Sequence, residues 1–496
     1  MNKEKIKAFF RSRSARHAGS MTAFTALVLA LFYLVNLIIL GFADKLTLYF
    51  YTTEEPEITI GGAADELLAG IDTSESKVKI RFCDLEENIK THKQLDYVYR
   101  TAMLLEERYP ELIEVDFINL WLEPDRVSAY RVNKEGEENT IATSTVIIDY
   151  GGEFVLNAPS NFYTLDAKQY VTSYNGEEVF IANILWVSAK EHPVAYFTAN
   201  HGEEVPYALQ RMLVYAGYRV ERLDLSTVRG VPEDAGMLVI SDPIYNFQKA
   251  AEGSVEKAEL TFVAEYLAKG GCVLAMLSPT YAEEMKLPNG KPPHLLTFLA
   301  EYGITLPGGT LIDRESALPG SGGYSLITGY AGDGLSASLA ATAAAGGRRT
   351  VLSLATPLSL GESALATVHP ILYTSSSTTL IAADGSETAM GRAPVLAMAE
   401  MKEGGGRLLV AGSPYLCDAQ IVDGPGYGNK ALINALLSEM GATRVPAGIE
   451  NLQVDRTAIE NLTMGEADLY FTVTAILLPV CILVGSAIFL RRRKNH

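Results

Sequence analysis

The chain is short of the residues that build cross-linked, metal-dependent or nucleic-acid-binding proteins. Four cysteines in 496 residues exclude a disulfide scaffold. None of them has zinc-ligand or CxxC redox spacing, and Cys83 and Cys272 sit on apolar, strand-like runs that suit a core. Basic side chains are outnumbered, 41 Lys and Arg against 59 Asp and Glu, for a formal charge of −18. That balance argues against a nucleic-acid partner, which calls for a basic face. Catalytic signatures are missing too. There is no GxSxG elbow, HExxH, GxxxxGK[ST] phosphate loop or GxGxxG fingerprint. Gly424-Pro425-Gly426-Tyr427-Gly428 breaks the last pattern and reads as a loop. The chain is therefore no ATPase by itself, and no catalytic residue, cofactor or metal is expected from it.

Charge is also missing locally. Met21 to Ala43 is 23 residues without a formal charge, and Leu469 to Leu490 is another 22. Each makes a helix of roughly 33–34 Å, enough to cross a hydrocarbon layer of about 30 Å. Six basic residues against Glu4 precede the first segment, and Arg491, Arg492, Arg493 and Lys494 follow the second. The excess of Lys and Arg at the outer ends places both termini, 1–20 and 491–496, in the cytoplasm of a cell-membrane protein. Residues of about 44–468 then lie outside. Gly41-Phe42-Ala43 offers small residues at a cleavage spacing, but the apolar stretch exceeds the 7–15 residues of a signal peptide. An uncleaved anchor is expected.

What is present between the anchors is globular in composition, with 48% hydrophobic and 20% charged residues overall. The pattern predicts an α/β fold in two extracytoplasmic domains. In the first, 46–188, Val78–Cys83 reads as a strand, Lys93–Arg108 as an amphipathic helix and Leu112–Leu120 as a second strand, a βαβ unit. Thr143–Tyr150 and Glu153–Asn157 follow as strands joined by Gly151-Gly152. Residues 177–187 lead onward. The second domain, 192–448, alternates continuous apolar strands with helices. Val194–Ala199, Met237–Ser241, Cys272–Leu277 and Arg407–Ala411 are the strands. Helices are expected at 205–216, 255–267, 295–301 and 430–440. That alternation predicts a doubly wound sheet of the flavodoxin or class I amidotransferase kind. Residues 331–347 hold 13 Ala, Gly or Ser in 17 and read as an insertion or a short helix with a loop. A linker, 449–468, returns to the membrane segment 469–490.

Several strands end in polar residues. If the strands are parallel, His201, Glu203, Asp242, Ser278 and Ser413 gather on one rim, where open α/β sheets bind ligands. His201 with Glu203 has the chemistry of a general base or a metal ligand. The same residues also suit a strand-to-helix turn, with Gly202 reversing the chain and the acids facing a helix N-terminus. No second histidine stands at metal spacing.

The order of anchor, α/β region, anchor and basic tail resembles the auxiliary subunits of ABC transport systems of the gliding-motility (GldG-like) type. The matching stretches are AYFTANHGEE (195–204), the run from MLVISDP to KGGCVLAMLSP (237–279), HPILYTSSSTTLI (369–381) and GRLLVAGSPYLCDAQ with GNKALINALL (406–437). His201-Gly202-Glu203 is the most specific piece. Asn200 stands where the family often has glycine, and Gly412-Ser413-Pro414 lacks the acidic residue that commonly follows the glycine. The resemblance implies a non-enzymatic subunit of a transport or export complex, partnered by a permease and a separate ATPase subunit. Two other functions remain open: an exterior hydrolase or transferase on glycans or peptides with His201 as base, and an envelope scaffold without a cleft.

Overall fold

Every second side chain of Val78-Lys79-Ile80-Arg81-Phe82 is buried, the period-two pattern of a strand with one covered face. This strand, β1 (Val78–Phe82), pairs in parallel with β2 (Ile113–Phe117) across the helix α1 (Asp96–Arg108), the expected βαβ unit. β3 (Val146–Tyr150) runs antiparallel to β1 and turns through Gly151-Gly152, both at positive φ, into β4 (Glu153–Asn157). The sheet order is β2-β1-β3-β4. β5 (Tyr163–Leu165) and β6 (Val171–Tyr174) form a small antiparallel pair. The computed structural model describes residues 58–72, 76–133, 136–165, 171–249, 257–284, 291–424, 426–453 and 463–494. They belong to a single unit, Ile58–His496. The expected basic N-terminus 1–20 and first apolar segment 21–43 lie outside the described residues, as does linker stretch 454–462.

The connecting stretch 177–187 is a helix, α2 (Gly176–Val187), with ten of its twelve residues buried. It is apolar nearly all round, so it has neighbours on several sides. It packs against β3 and β4 and touches the helix α3 (Tyr207–Tyr215). Two buried or nearly buried ion pairs add to this junction, Lys430 with Glu178 at 2.6 Å and Arg211 with Asp423.

The large sheet begins with β7 (Val194–Thr198), β8 (Arg219–Leu223), β9 (Ala235–Ser241) and β10 (Cys272–Met276). Past β10 the helix α5 (His294–Glu301) is followed by the short strands β11 (Ile304–Thr305) and β12 (Thr310–Ile312). Next come β13 (Ser325–Tyr330), the helix α6 (Gly334–Ala343), β14 (Thr350–Ser353) and β15 (Ser359–Leu360). β16 (Ala366–Tyr373), β17 (Thr379–Ile381), β18 (Glu387–Ala389), β19 (Pro394–Met401) and β20 (Arg407–Ala411) complete the region. Nine of these strands share one sheet in the order β14-β13-β16-β19-β20-β10-β9-β7-β8.

Its parallel half, β8-β7-β9-β10-β20, has the chain order 2-1-3-4-5 of the doubly wound sheets. On one face Phe197, Val239 and Leu409 pack with Leu209 and Leu213 of α3 and Leu432 and Leu436 of α7 (Asn429–Glu439). On the other, Tyr196, Ile240 and Ala275 pack with Val263 of α4 (Glu259–Ala268) and Leu299 of α5. The remaining four strands run antiparallel, an extension absent from the sequence reading. The Ala/Gly/Ser-rich stretch 331–347 is largely α6, which buries Leu339 and Ala343 in the same core as α7.

After Thr463 a helix continues as Met464–Phe471, a π turn at Thr472–Leu477 and Leu478–Lys494. Its Met464–Ser486 part is 23 residues with mean hydropathy 2.1 and none of its apolar window buried, long and apolar enough to cross a membrane. The π turn lies just ahead of Pro479, whose missing N–H and bulky ring disturb the preceding α-helical turn. Thr463 caps the start in a capping box with Glu466. Glu466 also takes a two-bonded contact from Arg349, 2.9 and 3.0 Å, at the head of β14.

Candidate functional site

In a 2-1-3-4-5 sheet the chain leaves β7 toward one edge and β9 toward the other, so a crevice opens beyond the carboxyl ends of these two neighbours. The loops after β7, β9 and β10 carry four of the five rim residues. Three positions there take left-handed backbone: Asn200 (φ 78°), Gly202 (φ 80°) and Asp242 (φ 46°). At Gly202 the conformation and the space both require glycine, because an added Cβ would lie 2.1 Å from Ile244 Cγ1. The first two loops are tied together, with the His201 carbonyl accepting from the Ile244 and Tyr245 amides at 2.7 and 2.8 Å.

This tight reversal turns the His201 ring inward. It is buried and stacked on Phe247, with ring centroids 4.0 Å apart. Nδ1 donates to Glu203 Oε1 at 3.0 Å and Nε2 donates to Glu259 Oε2 at 3.1 Å. Burial alone would lower the imidazole pKa, but the hydrogen bonds and charges of Glu203 and Glu259 outweigh it and raise it to about 9. Burial pulls the Glu203 carboxyl up. Hydrogen bonds from His201, the Thr198 hydroxyl and backbone amides overcome this and leave it below the usual carboxylate value. The group is thus an imidazolium held between the Glu203 and Glu259 side chains at neutral pH. An imidazolium donating from both nitrogens has no lone pair to accept a proton, so this arrangement does not serve a general base.

Glu259 was not visible from the sequence. It opens α4, 58 positions from His201, and the periodic pattern there reads only as a helix face. Its Oε2 also accepts from the Gln248 amide at 2.5 Å, while its buried Oε1 has no partner among the described residues. The buried Tyr281 hydroxyl is likewise without one.

The other rim residues hold loops. Asp242 donates its amide to the Met276 carbonyl and accepts from the Ser278 amide, both at 2.8 Å, joining the ends of β9 and β10. The Ser278 hydroxyl pairs with Thr280 at 2.7 Å. Ser413 is buried, caps the short turn Pro414–Cys417 through the Tyr415 amide and donates to the Ser353 carbonyl at the end of β14. His201, Glu203, Asp242 and Ser278 therefore form one connected set. Ser413 shares their edge but is bonded away from them, toward the antiparallel half. Over the set stand Ile244 and Tyr245, 55% and 61% exposed. Among the described residues no group of His, Cys, Asp and Glu side chains has the geometry to hold a metal ion.

No family model matches the chain, and no curated protein is similar to it. Among solved structures it is similar to the mmIFT52 N-terminal domain, at 18% identity and a TM-score of 0.39, over 50% of this chain and 98% of that one. It is similar to the cytoplasmic protein STM3548 from Salmonella typhimurium, at 16% and 0.32, over 50% and 98%. A GH42 β-galactosidase from G. stearothermophilus aligns at 11% and 0.23, over 48% of this chain and 30% of its own. Likenesses at these scores carry no argument about function.

Proposed function

We propose that the chain is a membrane-anchored, non-enzymatic accessory subunit of an ABC-type transport or export complex, of the kind its sequence resembles. Its partners would be a permease and a separate ATPase subunit. The observation that carries the reading is the direct coupling of a large α/β body to a helix of membrane-spanning length. The Arg349–Glu466 contact and the capping box fix the start of that helix, and Arg491–Lys494 follow its apolar part. With the apolar segment 21–43 as a second anchor, both termini are cytoplasmic and the α/β body is outside. The strand-end loops are the recognition face. His201, Glu203, Asp242 and Ser278 set its shape from beneath, and Ile244 and Tyr245 make the contact. The doubly donating imidazolium supports a binding role over hydrolysis with His201 as base, since the ring is already protonated.

The test is purification of the tagged full-length protein from its native membranes in mild detergent. The expected result is co-purification of a polytopic permease and a phosphate-loop ATPase. Recovery of this chain alone, repeated after crosslinking, would overturn the reading.

A further inference from the structure

Away from the strand-end loops, a cleft of about 470 Å³ opens between the smaller sheet and the large one. β4 and β5 supply one wall, and α3 with the short helix Ala419–Val422 the other. Its size and its place between two packed layers are those of small-ligand sites. Its polar lining is led by five carboxamides, Asn157, Asn161, Asn183, Gln210 and Gln420, among apolar and aromatic side chains.

Asn157 is 3% exposed. Its Oδ1 accepts from Asn183 Nδ2 at 3.1 Å and from Asn161 Nδ2 at 3.4 Å. Its own Nδ2 has no acceptor among the described residues. A buried amide hydrogen left unpaired is destabilising, and an acceptor entering the cleft would relieve it. Among the described residues of the lining, Arg211 and Asp423 are the charged ones, and they pair with each other. The described lining thus carries no net charge and suits an uncharged ligand. Tyr207 stands at its mouth, 70% exposed, with the Arg211 guanidinium 5.8 Å from the ring centroid.

We infer that this cleft binds an uncharged glycan. A side-chain amide presents a donor and an acceptor side by side and so engages two vicinal hydroxyls of a sugar ring, each of which can donate and accept. An extended peptide shows a donor and an acceptor together on one side only at every second residue, whereas a sugar ring shows them at successive hydroxyls. The open ring of Tyr207 offers an apolar face to the C–H side of a sugar, with its hydroxyl left in water. The inference rests on the cleft alone, so its failure would leave the transporter-subunit reading standing.

The experiment uses the full chain in a zwitterionic detergent without a sugar headgroup. The probes are cellotetraose, maltotetraose, mannotetraose and chitotetraose, followed by calorimetry and saturation-transfer NMR. At least one should bind with Kd below about 1 mM. Tyr207→Ala and Gln210→Ala, both at exposed positions that leave the fold intact, should each weaken it about tenfold. Absence of binding by all four at about 10 mM would overturn the inference. So would affinity unchanged in both variants. Tyr207-dependent binding of an uncharged hexapeptide, tighter than any of the sugars, would replace the glycan with a peptide.

Discussion

The His201 ring is held between the Glu203 and Glu259 side chains, and the energetics of that arrangement can be measured without knowing any ligand. Imidazole titrates near 6.5 when unperturbed and at about 9 in the folded chain, so folding favours its protonated form. The stabilisation is complete below about 6.5 and is lost as pH rises through about 9. Glu203 acts in the opposite direction. Its lowered pKa stabilises above its ordinary value of 4.5 and ceases to as the pH falls through its folded value. A thermal melting series should therefore show Tm falling between pH 6.5 and 9.5, with most of that slope gone in His201→Ala. At pH 7 the same variant, leaving Glu203 and Glu259 buried without their cation, should lose about 3–5 kcal/mol in urea unfolding. A flat pH profile in the parent would mean that the ring is neutral. The sequence made half of this group legible: His201 and Glu203 are two positions apart, and Gly202 between them announces a turn. Glu259, Phe247 and Tyr281 reach the same place from other elements, and no local pattern marks them.

In the parallel half of the large sheet the strands buried on both faces were the legible ones. β7, β9, β10 and β20 are continuous apolar runs; β20 has the expected bounds and the other three differ by one or two residues. β8 escaped because it lies at the sheet edge as Arg-Val-Glu-Arg-Leu, mostly exposed and carrying three charges in five residues. The antiparallel half escaped for another reason. Pro370 lies inside β16 and its pairing with β19 carries register shifts, which breaks the pattern there, while residues 395–399 of β19 are a continuous buried apolar run that opens on Pro394. The C-terminal helix has its own signal in Thr463-Met464-Gly465-Glu466, a capping box. Thr463→Ala removes the hydroxyl that accepts from the Glu466 amide at 3.0 Å. It should speed hydrogen exchange of that amide and cost about 1 kcal/mol at the helix start. Glu466→Ala should do the same and also release Arg349. Unchanged exchange in both variants would show that the first turn is held by other contacts.

For the whole molecule, the proposed topology makes a direct prediction, because the native cysteines leave a quiet background. Cys83, Cys272 and Cys417 are buried, and Cys481 falls within the apolar helix. In intact cells a membrane-impermeant maleimide should label Glu362→Cys, at an exposed position, and should label Asn495→Cys only after permeabilisation. The reverse pattern would invert the orientation. The sheet order has a further consequence for biosynthesis. β20, near the end of the α/β region, is not an edge strand but sits between β10 and β19, where the parallel and antiparallel halves meet. Neither half can join the other until residues 407–411 have been synthesised. The parallel strands made some 130 to 210 positions earlier wait with an open flank. Such distant pairing is slow to form and leaves unpaired backbone exposed meanwhile. A chain built this way needs β10 guarded from the time it is made until its partner arrives.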